Sequence, residues 1–366
     1  MKKIIALVLS VLSISLPCAA LEVSARSAIL YEPRTDSILF EKNIHERMAM
    51  ASTTKIMTAV VVLENTDISE IVTVPASCAG IEGTSMYLKE GEKLSVSDLL
   101  YGMLLQSGND AASTLAYHVG GGDISRFVMM MNETAERIGL SDTHFKNPSG
   151  LPDSDHYSTA FDMAKLAKYA LGVEGFSEIA STKQKNVAGR LLVNHNKLLR
   201  TYNGANGFKT GYTKVAGRCL VSGALRDNMQ LIAVTLSAPD DWNDHKKLFN
   251  LGFSNFSLFK EPVGTEGGFE VPVVGGEKRV VSVSLAGEVS FLHKKSEKIE
   301  RVVYLPRFIY APISRGDVVG KVEYYKNGEC VEVSSLVCCD TVGEYRSPSV
   351  LKKIFKFLNQ IKKERK

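Results

Sequence analysis

The chain has 366 residues, 45% of them apolar and 23% charged, which suffices for one large core and a second smaller one and excludes a disordered or collagen-like polymer. Its net charge of +4 sits at the ends, in Lys2 and Lys3 and in the Lys- and Arg-rich stretch 348–366, so the body between is acidic and offers no basic face to a nucleic acid.

Lys2-Lys3, an apolar run over 4–16 and the small residues Cys18-Ala19-Ala20 have the form of a secretory signal over 1–20, too short for a spanning helix. Of the cysteines beyond it, Cys78, Cys219, Cys330, Cys338 and Cys339, the odd number argues against a disulfide framework. No His cluster accompanies them, so no metal site is expected. Residues 27–43 alternate as a hairpin around Pro33-Arg34-Thr35-Asp36, and a helix is expected over 52–64. Helical periods then dominate 96–172, interrupted by the loop NPSGLPDSDHY. Strands return over 189–237, with a hairpin turned at Arg226-Asp227-Asn228, and a helix over 240–255 closes the region. Strands at both ends of a helical block indicate an α+β domain over 21–257. Short Val-rich strands with Gly-Gly, Asn-Gly and Arg-Gly turns indicate a small all-β domain over 258–342. After a linker from 343, the tail reads as an amphipathic helix with Val350, Leu351, Ile354, Phe355, Leu358 and Ile361 on one face and lysines on the other, a pattern suited to the surface of an anionic bilayer.

Three short constellations carry chemistry. Ser52-Thr53-Thr54-Lys55 places a hydroxyl and an amine one helical turn apart, where a desolvated amine can take the hydroxyl proton. The same spacing recurs at Ser257/Lys260 and Ser349/Lys352, and a Ser cap with an exposed Lys accounts for any of them equally. Ser107-Gly108-Asn109 joins two predicted helices and offers a hydroxyl for proton relay and an amide for a substrate, or else a Gly stop followed by an Asn cap. Lys209-Thr210-Gly211 opens a strand with groups suited to a carboxylate and a residue that lets a ligand approach the backbone.

In this order, and within the strings ASTTKIMTA, LLQSGNDAA, NPSGLPD, YSTAFDMAKLA and GFKTGYTKVAGRCLVSGA, the chain resembles the low-molecular-mass D-alanyl-D-alanine carboxypeptidases, the penicillin-binding DD-peptidases of peptidase family S11. The resemblance implies a β-lactamase/DD-peptidase-like fold followed by a small β domain and a terminal amphipathic helix. It implies an exported enzyme, without cofactor, held at the outer face of the cytoplasmic membrane by that helix. Its substrates would be peptidoglycan stem peptides ending in D-Ala-D-Ala, and β-lactams its covalent inhibitors. By the same resemblance Ser52 is the acylated nucleophile, Lys55 its base and Ser107 a proton relay. Asn109 holds the acyl side chain, Lys209 sets the field at Ser107, Thr210 helps bind the substrate carboxylate beside Gly211, and the N–H groups of Ser52 and Tyr212 form an oxyanion hole. Where some relatives carry an Arg, this chain has Asp240-Asp241, which leaves Arg218 as the substitute clamp or as an ordinary surface Arg. The competing readings are a β-lactamase, against which stands the absence of the E-x-x-L-N string that class A β-lactamases carry, and a non-catalytic peptidoglycan-binding protein. His118, His156, His195 and His245 are expected at the surface or in loops.

Overall fold

The computed structural model describes residues 21–264, 268–346 and 354–355. The leader expected over 1–20 and nearly all of the expected tail helix lie outside the described residues. The chain divides into two compact units, the first built from residues up to 31, 38–225 and 231–250, the second from 32–37, 226–230 and 251 onward.

The first unit is a five-stranded sheet with helices on it. Strands Ser27–Glu32 and Ser37–Lys42 come from the start of the chain, and Ala205–Thr213, Gly217–Arg226 and Met229–Leu236 from its far end; the N-terminal strand pairs antiparallel with Met229–Leu236, Ile29 opposite Val234. Ala205–Thr213 therefore lies at one edge, the place where a strand has a free side for a ligand or another segment. Every residue of Ser27–Glu32 is buried, which requires cover on both faces of the sheet.

One face is covered by the helical block, centred on Lys55–Asn65, where Ile56, Met57, Ala59, Val60, Val61 and Val62 are all fully buried. A helix apolar on every side is stable only inside a core. Its neighbours are Val96–Leu105, Asn109–Val119, Ile124–Arg137 and Ala160–Leu171, and its core includes Ile29, Val221, Ile232 and Val234 of the sheet. Each such side chain contributes roughly 1.5–3 kcal/mol by burial. Helix Asp241–Asn255 lies on the sheet through His245, wholly buried between Ser222 Oγ at 2.5 Å and Thr235 Oγ1 at 3.0 Å. This histidine is thus a core residue, against the surface or loop position expected of it; burial holds its pKa down at about 3, so the ring is neutral.

In the second unit the elements between Phe256 and Cys338 are all strands. Phe256–Glu261 pairs antiparallel with Val289–Lys294, and six further strands between Phe269 and Cys338 form one sheet. Its core holds Val271, Val283, Val322, Tyr324 and Leu336, with Phe259 and Phe291 stacked at 4.8 Å. The hairpin Val318–Lys326/Glu329–Cys338 turns on Asn327-Gly328, both at positive φ, as the two-residue turn demands. All five described cysteines are free thiols. No described helix is long and apolar enough to cross a membrane.

Asp244 ties the start of the chain to helix Asp241–Asn255, accepting from Ser24 N at 2.9 Å, Ser24 Oγ at 2.7 Å and Ala25 N at 3.0 Å while itself almost fully buried. Replacing it with Ala leaves those donors without their partner and is expected to cost about 1–3 kcal/mol, read as a lower urea midpoint at unchanged m-value.

Candidate active site

The chain reaches Ser52 through Ala51, a non-glycine residue at φ +48°, and a short 3-10 turn, Ala51–Thr54, that runs directly into helix Lys55–Asn65. Thr53 Oγ1 donates to Met50 O at 2.6 Å and Thr54 Oγ1 to Ala51 O at 2.8 Å, so the two threonines of the motif fasten the turn. Ser52 is half-buried and Lys55 wholly buried, the opposite of a cap followed by a solvated Lys. The Lys55 Nζ stands 3.0 Å from Ser52 Oγ, 2.7 Å from Asn109 Oδ1 and 2.7 Å from the Ser149 carbonyl oxygen. Burial, and next the Lys209 charge, hold its pKa well below the usual lysine value, while Asp110 opposes them. A neutral amine has two N–H groups and one lone pair. In that form the two oxygens without protons would take the N–H groups, and the lone pair would be left for the Ser52 hydroxyl.

Asn109 does not cap its helix. Gly108 occupies the cap position, and the Asn109 amide reaches from Lys55 Nζ to the Glu82 carbonyl, to which its Nδ2 donates at 2.6 Å. Asp110 beside it accepts from Met86 N at 2.9 Å, Leu88 N at 3.0 Å and Ser85 Oγ at 2.6 Å, which binds the 82–88 segment to the start of the helix. Ser107, in the link between the helices, is held at φ +65° and is mostly buried. Two non-glycine residues at positive φ, Ala51 and Ser107, thus sit within one site, each of a kind that persists only where the surroundings impose it.

The loop after Asn147 closes the floor. Asn147 Oδ1 accepts from Gly150 N at 2.7 Å and Leu151 N at 3.1 Å, folding the loop so that the Ser149 carbonyl meets Lys55. At Gly150, φ is +86° and a Cβ would stand 1.9 Å from Ala51 O, so only glycine fits there.

The edge strand supplies the other wall. Lys209 is buried, its Nζ donates to Thr210 O at 3.0 Å, and burial lowers its pKa to about 7. A Cβ on Gly211 would approach Ser52 N to 3.0 Å, so glycine is what lets the strand press against the turn. Thr210 and the exposed Tyr212 face a cleft of about 560 Å³ that Ser52, Ser107 and His195 also line. A second hollow of about 390 Å³ shares Ser52 and Tyr212 and runs past Asn109, Leu151 and Val215. The three constellations, up to 157 residues apart in sequence, are therefore walls of one cleft.

With this geometry in view, comparison with known proteins is informative. The model of the D-alanyl-D-alanine carboxypeptidase family matches residues 14–240, and that of the penicillin-binding protein 5 C-terminal domain matches residues 257–344. The chain belongs to the D-alanyl-D-alanine carboxypeptidase family. Membership makes it a hydrolase of the serine peptidase class. It is 34% identical to the D-alanyl-D-alanine carboxypeptidase DacF of Bacillus subtilis (strain 168), over 85% of this chain and 84% of that one. It is also 34% identical to the D-alanyl-D-alanine carboxypeptidase DacC of Escherichia coli (strain K12), over 88% and 85%. Among solved structures, penicillin binding protein 5 from Haemophilus influenzae is similar with a TM-score of 0.72 at 30% identity, covering 88% of this chain and 98% of that chain.

The other serine-lysine spacings separate cleanly. Ser257 and Lys260 lie on a strand, where three residues apart means opposite faces, and Lys260 instead pairs with Glu288 at 3.1 Å. Ser349 and Lys352 are outside the described residues. Arg218 does border the cleft, but its guanidinium donates to Asp241 Oδ1 from Nε at 3.0 Å and from an Nη at 2.7 Å. What the motifs did not disclose is the role of main-chain oxygens, those of Glu82 and Ser149, and of the side chains Asp110 and Asn147 that place them. The Asn-Pro-Ser-Gly run was the available signal, since Asn and Gly at those offsets favour a side-chain-braced turn.

Lys209 gives up its proton at about pH 7 in the folded state and at about pH 10.4 in the unfolded chain. Between those values the unfolded state binds more protons, so stability rises with pH. Urea unfolding of the wild type should show that rise from pH 7 to pH 9, and Lys209→Met should lessen it, with the depressed Lys55 contributing in the same sense.

Proposed function

We propose that the protein removes the terminal D-alanine from peptidoglycan stem peptides ending in D-Ala-D-Ala through an acyl-enzyme on Ser52, and that β-lactams acylate the same oxygen. The observation that carries this reading is the buried Lys55 amine, which stands 3.0 Å from Ser52 Oγ and 2.7 Å from both Asn109 Oδ1 and the Ser149 carbonyl oxygen.

Lys55 takes the hydroxyl proton as Ser52 Oγ attacks the carbonyl carbon between the two D-alanines. The carbonyl oxygen, now negative, is received by the N–H groups of Ser52 and Tyr212, a stabilisation of about 3 kcal/mol per donor. Ser52 N–H belongs to the first turn of a helix, whose N–H groups have no intrahelical acceptor. The C–N bond then breaks, and the proton passes to the leaving amine, with Ser107 as relay and Lys209 setting the field around it. Water hydrolyses the ester, restoring the Ser52 hydroxyl and releasing the shortened peptide. Asn109 holds the amide of the acyl part, while Thr210 and Gly211 receive the carboxylate of the departing residue. Arg218 borders that end of the cleft with its charge offset by Asp241. The substrate is extracytoplasmic, so the chain works as an exported protein, with its basic C-terminal stretch on the membrane surface.

Incubation with a diacylated Lys-D-Ala-D-Ala tripeptide should release free D-alanine from the wild type and none from Ser52→Ala. Lys55→Ala should retain its fold and lose ~10²–10⁴-fold in rate, the usual worth of a positioned general base. D-alanine release by Ser52→Ala at the wild-type rate would refute the assignment.

A further inference from the structure

Beneath the nucleophile, away from the residues that line the cleft, lies a buried histidine that the chemistry above does not use. We propose that His156 is a positioning residue, which holds the strained Ala51–Ser52 turn by a hydrogen bond from its Nε2 to Thr54 Oγ1. The proposal rests on Ser52 being the nucleophile and adds the element that sets where its oxygen stands.

The tautomer follows from the partners. Lys146 N donates to His156 Nδ1 at 3.0 Å, so Nδ1 carries a lone pair and the ring proton of the neutral imidazole sits on Nε2. Nε2 is 2.7 Å from Thr54 Oγ1, whose own proton goes to Ala51 O at 2.8 Å. The donors therefore run one way, from Lys146 N–H to the ring, from the ring to Thr54, and from Thr54 to the carbonyl immediately before Ser52. That carbonyl belongs to the residue at φ +48° and is also the one that Gly150 approaches most closely. The ring is 3% exposed and packs edge-on against Phe145 at 5.8 Å. Burial lowers its pKa to about 4, so the arrangement of donors persists at neutral pH; a charged ring would turn an N–H toward the Lys146 N–H. His156 lies in a loop, as expected, but is buried there and linked to the nucleophile's turn by two hydrogen bonds in series.

Two amide substitutions divide the ring's functions. Gln can present an N–H where Nε2 stands but not an acceptor for Lys146; Asn can present the acceptor but does not reach Thr54. The rate of Ser52 acylation by a fluorescent penicillin, measured with the urea midpoint of each variant, should fall ~10–100-fold in His156→Asn, the scale expected of a reacting group misplaced by about 1 Å, and stay near wild type in His156→Gln. Thr54→Val should reproduce the loss, Thr54→Ser should not, and His156→Asn combined with Thr54→Val should lose little more than either alone. Acylation at the wild-type rate in His156→Asn and Thr54→Val, or rescue by Asn and not by Gln, would overturn the proposal, the latter showing that the ring serves only its own loop. Wild-type labelling that survives Ser52→Ala would instead overturn the nucleophile assignment, so the two failures are distinct.

Discussion

An amine taken out of water is costly in its charged form, and the proposed active site of this protein is organised around that constraint. Lys55 lies at the first turn of a helix that is apolar on all sides, and its surroundings offer two carbonyl-type oxygens and one hydroxyl. Three acceptors would suit an ammonium, but burial and a second buried lysine act against the proton. Once neutral, the amine can satisfy only two of them by donation, and the third contact becomes the one that prepares Ser52. The chemistry thus follows from hydrogen-bond valence as much as from proximity.

The remaining features serve that geometry. Asn109 spans from Lys55 to the Glu82 carbonyl, and Asp110 fixes the segment to which Glu82 belongs. Asn147 folds its loop so that the Ser149 oxygen points at the amine, and Gly150 and Gly211 let that loop and the edge strand meet the Ser52 turn without a clash. Ala51 and Ser107, one beside the Ser52 turn and one lining the cleft, adopt unfavourable backbone conformations. Stability is given up at such places, through two depressed lysines and two strained residues, and is recovered in the core formed by the central helix and the sheet.

Much of this architecture was legible in the sequence because it rests on local pattern. The alternation over 27–43, the uniformly apolar stretch after Lys55, the helical periods of 96–172 and the Asn327-Gly328 turn each specify their own element. The side chains of the proposed site were legible for another reason: Ser52, Lys55, Ser107, Asn109 and Lys209-Thr210-Gly211 stand as short strings in a definite order. What escaped is non-local. A backbone oxygen has no letter of its own, so the parts played by Glu82 and Ser149 emerge only when the loops are folded against Lys55. His156 and His245 look like ordinary polar residues in sequence, and their burial depends on strands and loops far along the chain.

The central claim is that the oxygen prepared by Lys55 is the one that becomes acylated. Intact-mass measurement of the protein after a brief exposure to penicillin, followed by peptide mapping, tests it directly. The account predicts a single adduct of one antibiotic mass, located in the peptide that contains Ser52 and absent when Lys55 is Ala. An adduct of equal yield on another residue, or on Ser52 at an undiminished rate without the amine, would contradict it.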